Sequence, residues 1–212
     1  MRKINIAVVG LGQIGNYLLH ELNSKKKDIE LKTGKKINVV AISAKNINKK
    51  RRYKINKKLF YKNPLDIFKF KKIDILFESI GLSGGISKKV VEKAIRNKVH
   101  VITPNKALIA KHGDYLSKLA EKHKVNLEFE ASVAGGIPIL RTIKEGLATN
   151  KIFKVYGILN GTCNYILSQM EKSNNQFKDV LKQAQNLGYA EPGNPKLDLN
   201  GYDAFAKVRI LS

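Results

Sequence analysis

The sequence predicts an α/β fold: a doubly wound parallel sheet, followed by a smaller α+β unit. Three observations carry this. Short apolar runs alternate with segments of helical spacing through the first two thirds of the chain. A glycine-rich turn follows the first such run directly. The alternation stops after about Gly136, where helical segments take over.

Taken in order, Ile4–Val9 is an apolar run that halts at glycine, and Ile14–Leu22 has helical spacing. Ile37–Ser43 reads as a second strand, and the polar, basic stretch Lys45–Lys58 as a loop. Ile73–Glu78 is a third strand, closed by Gly81–Gly85. Ser87–Lys98 is helical, with Ser87 placed as its cap. His100–Thr103 is a fourth strand, Lys106–Lys124 contains a helix, and Leu127–Val133 is a fifth strand. Beyond it, Ile137–Leu147 reads as helix, Lys151–Leu159 as strand, and Thr162–Met170 and Phe177–Leu187 as helices. A Gly/Pro-rich loop, Gly188–Pro195, leads to a last helix near Asn200–Leu211. This organisation places a dinucleotide-binding domain at residues 1–135 and a second domain at 136–212.

Composition narrows the class. At 212 residues and 43% hydrophobic content the chain can bury a core. No apolar run approaches the ~18 residues needed to cross a membrane, and the start, Met1-Arg2-Lys3, has no signal-peptide pattern. A cytoplasmic protein is expected. The single cysteine, Cys163, excludes an internal disulfide and a cysteine-based metal site. Forty Lys and Arg against seventeen Asp and Glu give a net charge of +23, but 34 of the forty are Lys, spread over almost every segment. Base readout and phosphate forks favour Arg, so no nucleic-acid partner is expected.

Gly10-Leu11-Gly12-Gln13-Ile14-Gly15 is a GxGxxG between a strand and a helix, the context in which the motif identifies a Rossmann-type dinucleotide site. The first glycine permits a tight turn, the second lets a pyrophosphate approach the backbone, and the third permits close helix–strand packing. The helix start offers free N–H groups to the anion. An NAD site places an acid at the end of the second strand. Here that strand runs into Ser43-Ala44-Lys45-Asn46, and Lys49, Lys50, Arg51 and Arg52 follow. Cations suit a 2′-phosphate, so NADP is expected in preference to NAD.

Three strand-end loops carry chemical residues: Glu78-Ser79-Ile80-Gly81, Thr103-Pro104-Asn105-Lys106 and Ala134-Gly135-Gly136-Ile137-Pro138. Lys106 would direct its ammonium at the cofactor crevice. Cys163 stands at a helix start, which lowers a thiol pKa, so a Cys163-dependent semialdehyde dehydrogenase with a thiohemiacetal intermediate stays open beside the reading of Cys163 as a small packed residue. Asp203 and Lys207 are four apart on one helix face. With Asp198 and Glu191 on the loop before them they form either a substrate-holding group with a proton donor or a surface salt bridge.

Together, Thr103–Lys106, Glu130–Pro138, Asn160–Leu167, Gly188–Pro192 and Asp203–Lys207, in this order and spacing, resemble homoserine dehydrogenase over Val8–Leu211. The resemblance implies NAD(P)-dependent interconversion of L-aspartate 4-semialdehyde and L-homoserine, on the route to threonine and methionine. It implies Lys207 as proton donor, Asp203 as the residue positioning substrate and Lys207, Glu191 as ligand of the substrate amino group, and Lys106 between nicotinamide and substrate. Gly10, Gly12, Gln13, Ile14, Gly15, Lys45, Ser79 and Lys106 would bind the cofactor. Glu130, Val133, Gly135 and Ile137 would hold a monovalent cation such as sodium, mainly through backbone carbonyls. Cys163 falls where the family needs no nucleophile. Two features depart from the family: Glu191-Pro192-Gly193-Asn194-Pro195 has an extra residue and lacks an aspartate, and the chain stops five residues past Lys207. A C-terminally truncated catalytic domain is therefore expected, with a homodimer tied to the remaining part, and an inactive NADP-binding fragment as the alternative to an active enzyme.

Overall fold

A computed structural model describes residues 2–70, 72–190 and 195–212. It divides into two compact units, Met1–Ile143 and Lys144–Ser212.

The first unit is built on a parallel sheet. β1 (Arg2–Val9) is exposed at its start and buried from Ile6 onward, because it passes into the middle of the sheet. α1 (Gln13–Ser24) and α2 (Lys26–Thr33) follow, then β2 (Lys35–Ser43), the two-residue β3 (Phe60–Tyr61), α3 (Ile67–Phe70) and β4 (Ile75–Glu78). α4 (Ile86–Arg96), β5 (His100–Ile102), α5 (Lys106–His123), β6 (Leu127–Glu128) and α6 (Ile139–Arg141) complete the unit. The strand order is β3-β2-β1-β4-β5-β6, with parallel pairing throughout. This is the doubly wound sheet the sequence predicts. The order reverses direction between β1 and β4, so the crevice for ligands opens beyond the carboxyl ends of those strands. One core cluster lies between α1 and the sheet, around Ile6, Val8, Leu11, Leu19 and Ile42. α4 presents Val90, Val91, Ala94 and Ile95 as a buried face.

The structure adds a helix to the sequence reading and corrects three expectations in detail. Residues 26–33 form a helix with no buried side chain, stopped by Gly34 at φ 65°. Such a helix leaves no apolar stripe in the sequence to read. Ser87 is not the cap of α4: the helix starts at Ile86 behind Gly85, whose φ of 57° turns the chain one residue earlier. Ser87 is fully buried instead. The strand expected over Leu127–Val133 ends after Glu128, because Phe129 leaves the extended region and Glu130–Ser132 form a 3₁₀ turn. The helix expected at Ile137–Leu147 is α6 followed by a wider π-type turn at Thr142–Gly146.

The described residues of the second unit hold α7 (Gly161–Ser173), α8 (Phe177–Asn186), α9 (Lys196–Leu199) and α10 (Tyr202–Leu211). Ile166, Val180, Ala184 and Ala190 make its core, with Tyr165 stacked on Tyr189 at 4.7 Å between centroids. Lys151–Leu159, expected as a strand, is irregular, with Phe153 and Tyr156 exposed. Its pattern is β-like, but a strand needs a ladder partner, and no described residue supplies one.

Candidate functional site

The glycine turn is held by close backbone packing. Gly10 lies at φ 92°, and a Cβ there would collide with the backbone of Ser79 and Ile80. A Cβ on Gly15 would collide with the Gly10 carbonyl. Strand, turn and helix are thus packed backbone to backbone. Gly12 differs: a Cβ there meets nothing within 4 Å. Two of the glycines serve the chain's own packing, and the third keeps a space open at the helix start. Ser79 fastens the turn from the next strand, its Oγ donating to the Gly10 carbonyl at 2.8 Å and its N–H to Val9 O at 2.8 Å.

That space belongs to a cavity of about 350 Å³ lined by Gly10, Gly12, Lys45, Ser79 and Lys62, among others. Gln13 and Ile14 line an adjoining cavity of about 500 Å³ with Tyr17 and Lys49–Tyr53. The donor set fits a dinucleotide: an open glycine, the N-terminus of a twelve-residue helix, and lysines from the loop after β2. Lys62 was missed in the sequence, because nothing in the spacing of a long basic loop singles it out.

The basic run Lys49–Arg52 is less uniform than its sequence. Arg51 donates to four backbone carbonyls: Leu11 at 3.2 Å, Ile47 and Lys49 at 2.9 Å each, and Asn46 at 2.6 Å. Its guanidinium therefore ties the loop to the glycine turn. Buried Asn16 reinforces the tie, exchanging two hydrogen bonds with the Tyr53 backbone at 2.9 and 3.0 Å. Lys45, Lys49 and Lys62 line the cavity beside Arg51.

At the carboxyl ends of β4 and β5, Glu78 is fully buried. It accepts from Thr103 Oγ1 at 2.6 Å, Ile80 N at 2.8 Å and Asn105 Nδ2 at 3.3 Å. Asn105 caps α5 by accepting from Leu108 N at 3.1 Å. Lys106, half-buried, is the first residue of that helix.

The expected cation loop is a tight coil. Ala134 and Gly136 sit at φ 48° and 89°. The Glu130 carboxylate accepts from Leu140 N at 2.9 Å and Arg141 N at 2.8 Å, which caps α6. The carbonyls of Glu130 and Ile137 accept from Val133 and Ile139 within the turn. Val133 is buried and Gly135 exposed. Among the described residues, no group of three or more His, Cys, Asp or Glu could hold a metal ion.

The second unit gathers its own polar cluster. Lys207 Nζ lies 2.8 Å from Asp203 Oδ2 and donates to the Leu159 carbonyl at 2.5 Å. The two side chains are only 22% and 12% exposed, so this is no solvated surface pair. Asn160 is the hub. Its amide donates to Asp198 Oδ1 and to Asp203 Oδ2, each at 2.9 Å, while its Oδ1 accepts from Cys163 N at 2.8 Å and caps α7. Thr162 Oγ1 lies 3.3 Å from Asp198 Oδ2. The sequence brought out Asp203 and Lys207 by their four-residue spacing but gave no sign of the role of Asn160. Glu191 lies outside the described residues.

Cys163 answers a question the sequence left open. Burial raises its thiol pKa, and Asp198 and Asp203 raise it further. These effects outweigh the helix N-terminus that was expected to lower it. The Sγ donates toward the Asp198 carbonyl at 3.4 Å. A thiol held protonated is a poor nucleophile, so the geometry opposes thiohemiacetal chemistry at Cys163.

Comparison with known proteins agrees with both halves of the chain. The family model described as homoserine dehydrogenase, NAD binding domain, matches residues 10–130, and the one described as homoserine dehydrogenase matches residues 138–212. A homoserine dehydrogenase of Neisseria gonorrhoeae is 41% identical over 212 residues, and one of Bacillus subtilis 36% over 214. Each alignment covers all of this chain and 48% of the relative, so the chain spans about half the length of these curated relatives. The crystal structure of a homoserine dehydrogenase from Thiobacillus denitrificans matches with a TM-score of 0.86 at 39% identity, over all of this chain and 48% of that one.

Proposed function

The chain belongs to the homoserine dehydrogenase family, and from that premise we propose that it catalyses the reversible, NADP-dependent reduction of L-aspartate 4-semialdehyde to L-homoserine. This step feeds threonine and methionine biosynthesis. The observation that carries the reading is the sequestered Asp203–Lys207 pair, an ammonium held by a carboxylate and a carbonyl.

The nicotinamide cofactor supplies the hydride when bound. The Gly10–Gly15 turn and the start of α1 receive the pyrophosphate, with Gly12 keeping the approach open. Lys45 and Lys49 favour a 2′-phosphate, and Gln13, Ile14 and Ser79 complete the contacts. Lys106 serves the nicotinamide end. The Lys207 ammonium stabilises charge developing on the carbonyl oxygen and then gives it a proton. Asp203 holds that ammonium in place and takes part in binding substrate. Glu191 receives the substrate amino group. The coil over Glu130–Ile137 takes a monovalent cation on the carbonyls of Glu130, Val133, Gly135 and Ile137. The chain partners with a small molecule and not with nucleic acid, works in the cytoplasm, and forms a homodimer in the full-length protein. No described helix is long and apolar enough to cross a membrane.

The test is loss of NADPH absorbance with L-aspartate 4-semialdehyde, comparing the chain with Lys207→Ala. Loss of the general acid lowers turnover by about a hundredfold or more. Equal turnover in the variant refutes the role of Lys207. NADPH bound without turnover refutes activity for this span and leaves a cofactor-binding portion.

A further inference from the structure

The pairing of β4 with β5 ends at Phe77↔Ile102. Both strands run on into loops at the carboxyl end of the sheet, the first of which lines the cofactor crevice with Ser79 and Ile80, and beyond that register no ladder bond joins them. Glu78 takes over there, fully buried. Three donors converge on it from both loops: Ile80 N from its own, Thr103 Oγ1 and Asn105 Nδ2 from the other. The Thr103 hydroxyl also accepts from Asn105 N at 3.0 Å, which leaves its own hydrogen for Glu78. Asn105 Nδ2 reaches back to the Leu82 carbonyl at 2.9 Å. A carboxylate, which only accepts, fits a place where every facing group donates, and an amide would oppose a donor to a donor. A buried acid is costly unless hydrogen-bonded, and in this fold it stands at the ligand end of the sheet.

The connections run on in both directions. Ser79, the next residue, holds the Gly10 carbonyl. Asn105 caps the helix whose first residue is Lys106. We propose that Glu78 is a positioning residue that sets the start of α5, and with it Lys106, against the Ser79–Ile80 wall of the cofactor crevice. The proposal rests on the reading of Lys106 as a residue at the nicotinamide end. Its action on the helix start is measured without cofactor, so the two ideas fail separately.

The experiment follows acetylation of Lys106 by acetic anhydride, read by mass spectrometry, with exposed Lys98 as internal reference. The chain is compared with Glu78→Gln, Thr103→Val and Thr103→Ser, each with and without NADPH, whose affinity is followed by its fluorescence. Without cofactor, Glu78→Gln and Thr103→Val label at Lys106 roughly tenfold faster than the parent, the change expected when a capped helix start is released. Thr103→Ser keeps the hydroxyl and labels at the parent rate. NADPH shields Lys106 in the parent, and this shielding falls in the two disruptive variants more than NADPH affinity does. Parent-like labelling in folded Glu78→Gln and Thr103→Val overturns the proposal. If Glu78→Gln does not fold, Thr103→Val against Thr103→Ser decides. Absence of shielding in the parent overturns the placement of Lys106 at the nicotinamide, and the cofactor-free rates still judge Glu78.

Discussion

The three glycines of the Gly10–Gly15 turn should respond differently to one added methyl group. At Gly15 the backbone is helical, where alanine is ordinarily favoured over glycine by about 1 kcal/mol. Here its Cβ would overlap the Gly10 carbonyl oxygen, which belongs to backbone and cannot swing aside. At Gly10 the Cβ meets the Ser79 and Ile80 backbone, and a φ of 92° adds strain. Overpacking of about 1–3 kcal/mol, with left-handed strain of about 1–2 kcal/mol at Gly10, makes both substitutions destabilising. At Gly12 φ is −73°, which alanine adopts freely, and the Cβ enters open space. Gly12 is also the N-cap of α1, where alanine is less favoured than glycine, so Gly12→Ala should cost about 0.5–1 kcal/mol, without the collisions met at Gly10 and Gly15. The same methyl group takes up the space left for the pyrophosphate, and about 1–3 kcal/mol of crowding there weakens NADPH roughly tenfold to a hundredfold. Thermal unfolding and NADPH fluorescence titration on the three variants make the comparison. If Gly12→Ala binds NADPH as the parent does, the pyrophosphate does not lie on this turn and the cofactor site has been misplaced.

Asn160→Ala removes the cap of α7 and two bonds to carboxylates, a loss of about 3 kcal/mol in all; hydrogen exchange at the start of α7 should quicken by about a hundredfold, and parent-like protection would refute the hub. Cys163→Ser should keep turnover, and alkylation of Cys163 should rise with a midpoint above the ordinary thiol value of about 8.5, since burial and then Asp198 and Asp203 disfavour the thiolate. Because that pKa is raised, the folded state holds its proton more tightly: this contribution to stability is complete at neutral pH and declines as pH climbs from the unfolded thiol's pKa through the folded one. A chemical denaturation series from neutral to alkaline pH, Cys163→Ser against parent, should show the parent losing more. Arg51→Lys removes a fork bound to four carbonyls, so NADPH and NADH should weaken together, by roughly tenfold; loss confined to NADPH would make Arg51 a 2′-phosphate ligand instead.

What the sequence revealed depended on how far apart cause and consequence lie along the chain. β1 and the glycine turn are local: an apolar run, then glycines at fixed offsets, and the structure follows both. α2 escaped because it buries nothing, so only Gly34 marks it. Lys151–Leu159 shows the reverse case, a good strand pattern without a described neighbour to complete it. Arg51 was counted correctly as a cation, but charge alone does not say whether a guanidinium faces a ligand or its own loop. The acids make the point most sharply. Asp203 was legible because Lys207 stands one helical turn away. Glu78 shows in the sequence only as part of a loop, because its side-chain partners lie 25 and 27 residues on and become neighbours only when β5 is laid beside β4. A buried acid bound by distant neutral donors leaves no periodicity and no charge pattern. The residues that place a site are for that reason harder to read than the residues that act in it: Glu78 and Asn160 both stand in segments the sequence singles out, but only their partners in the fold give them a role.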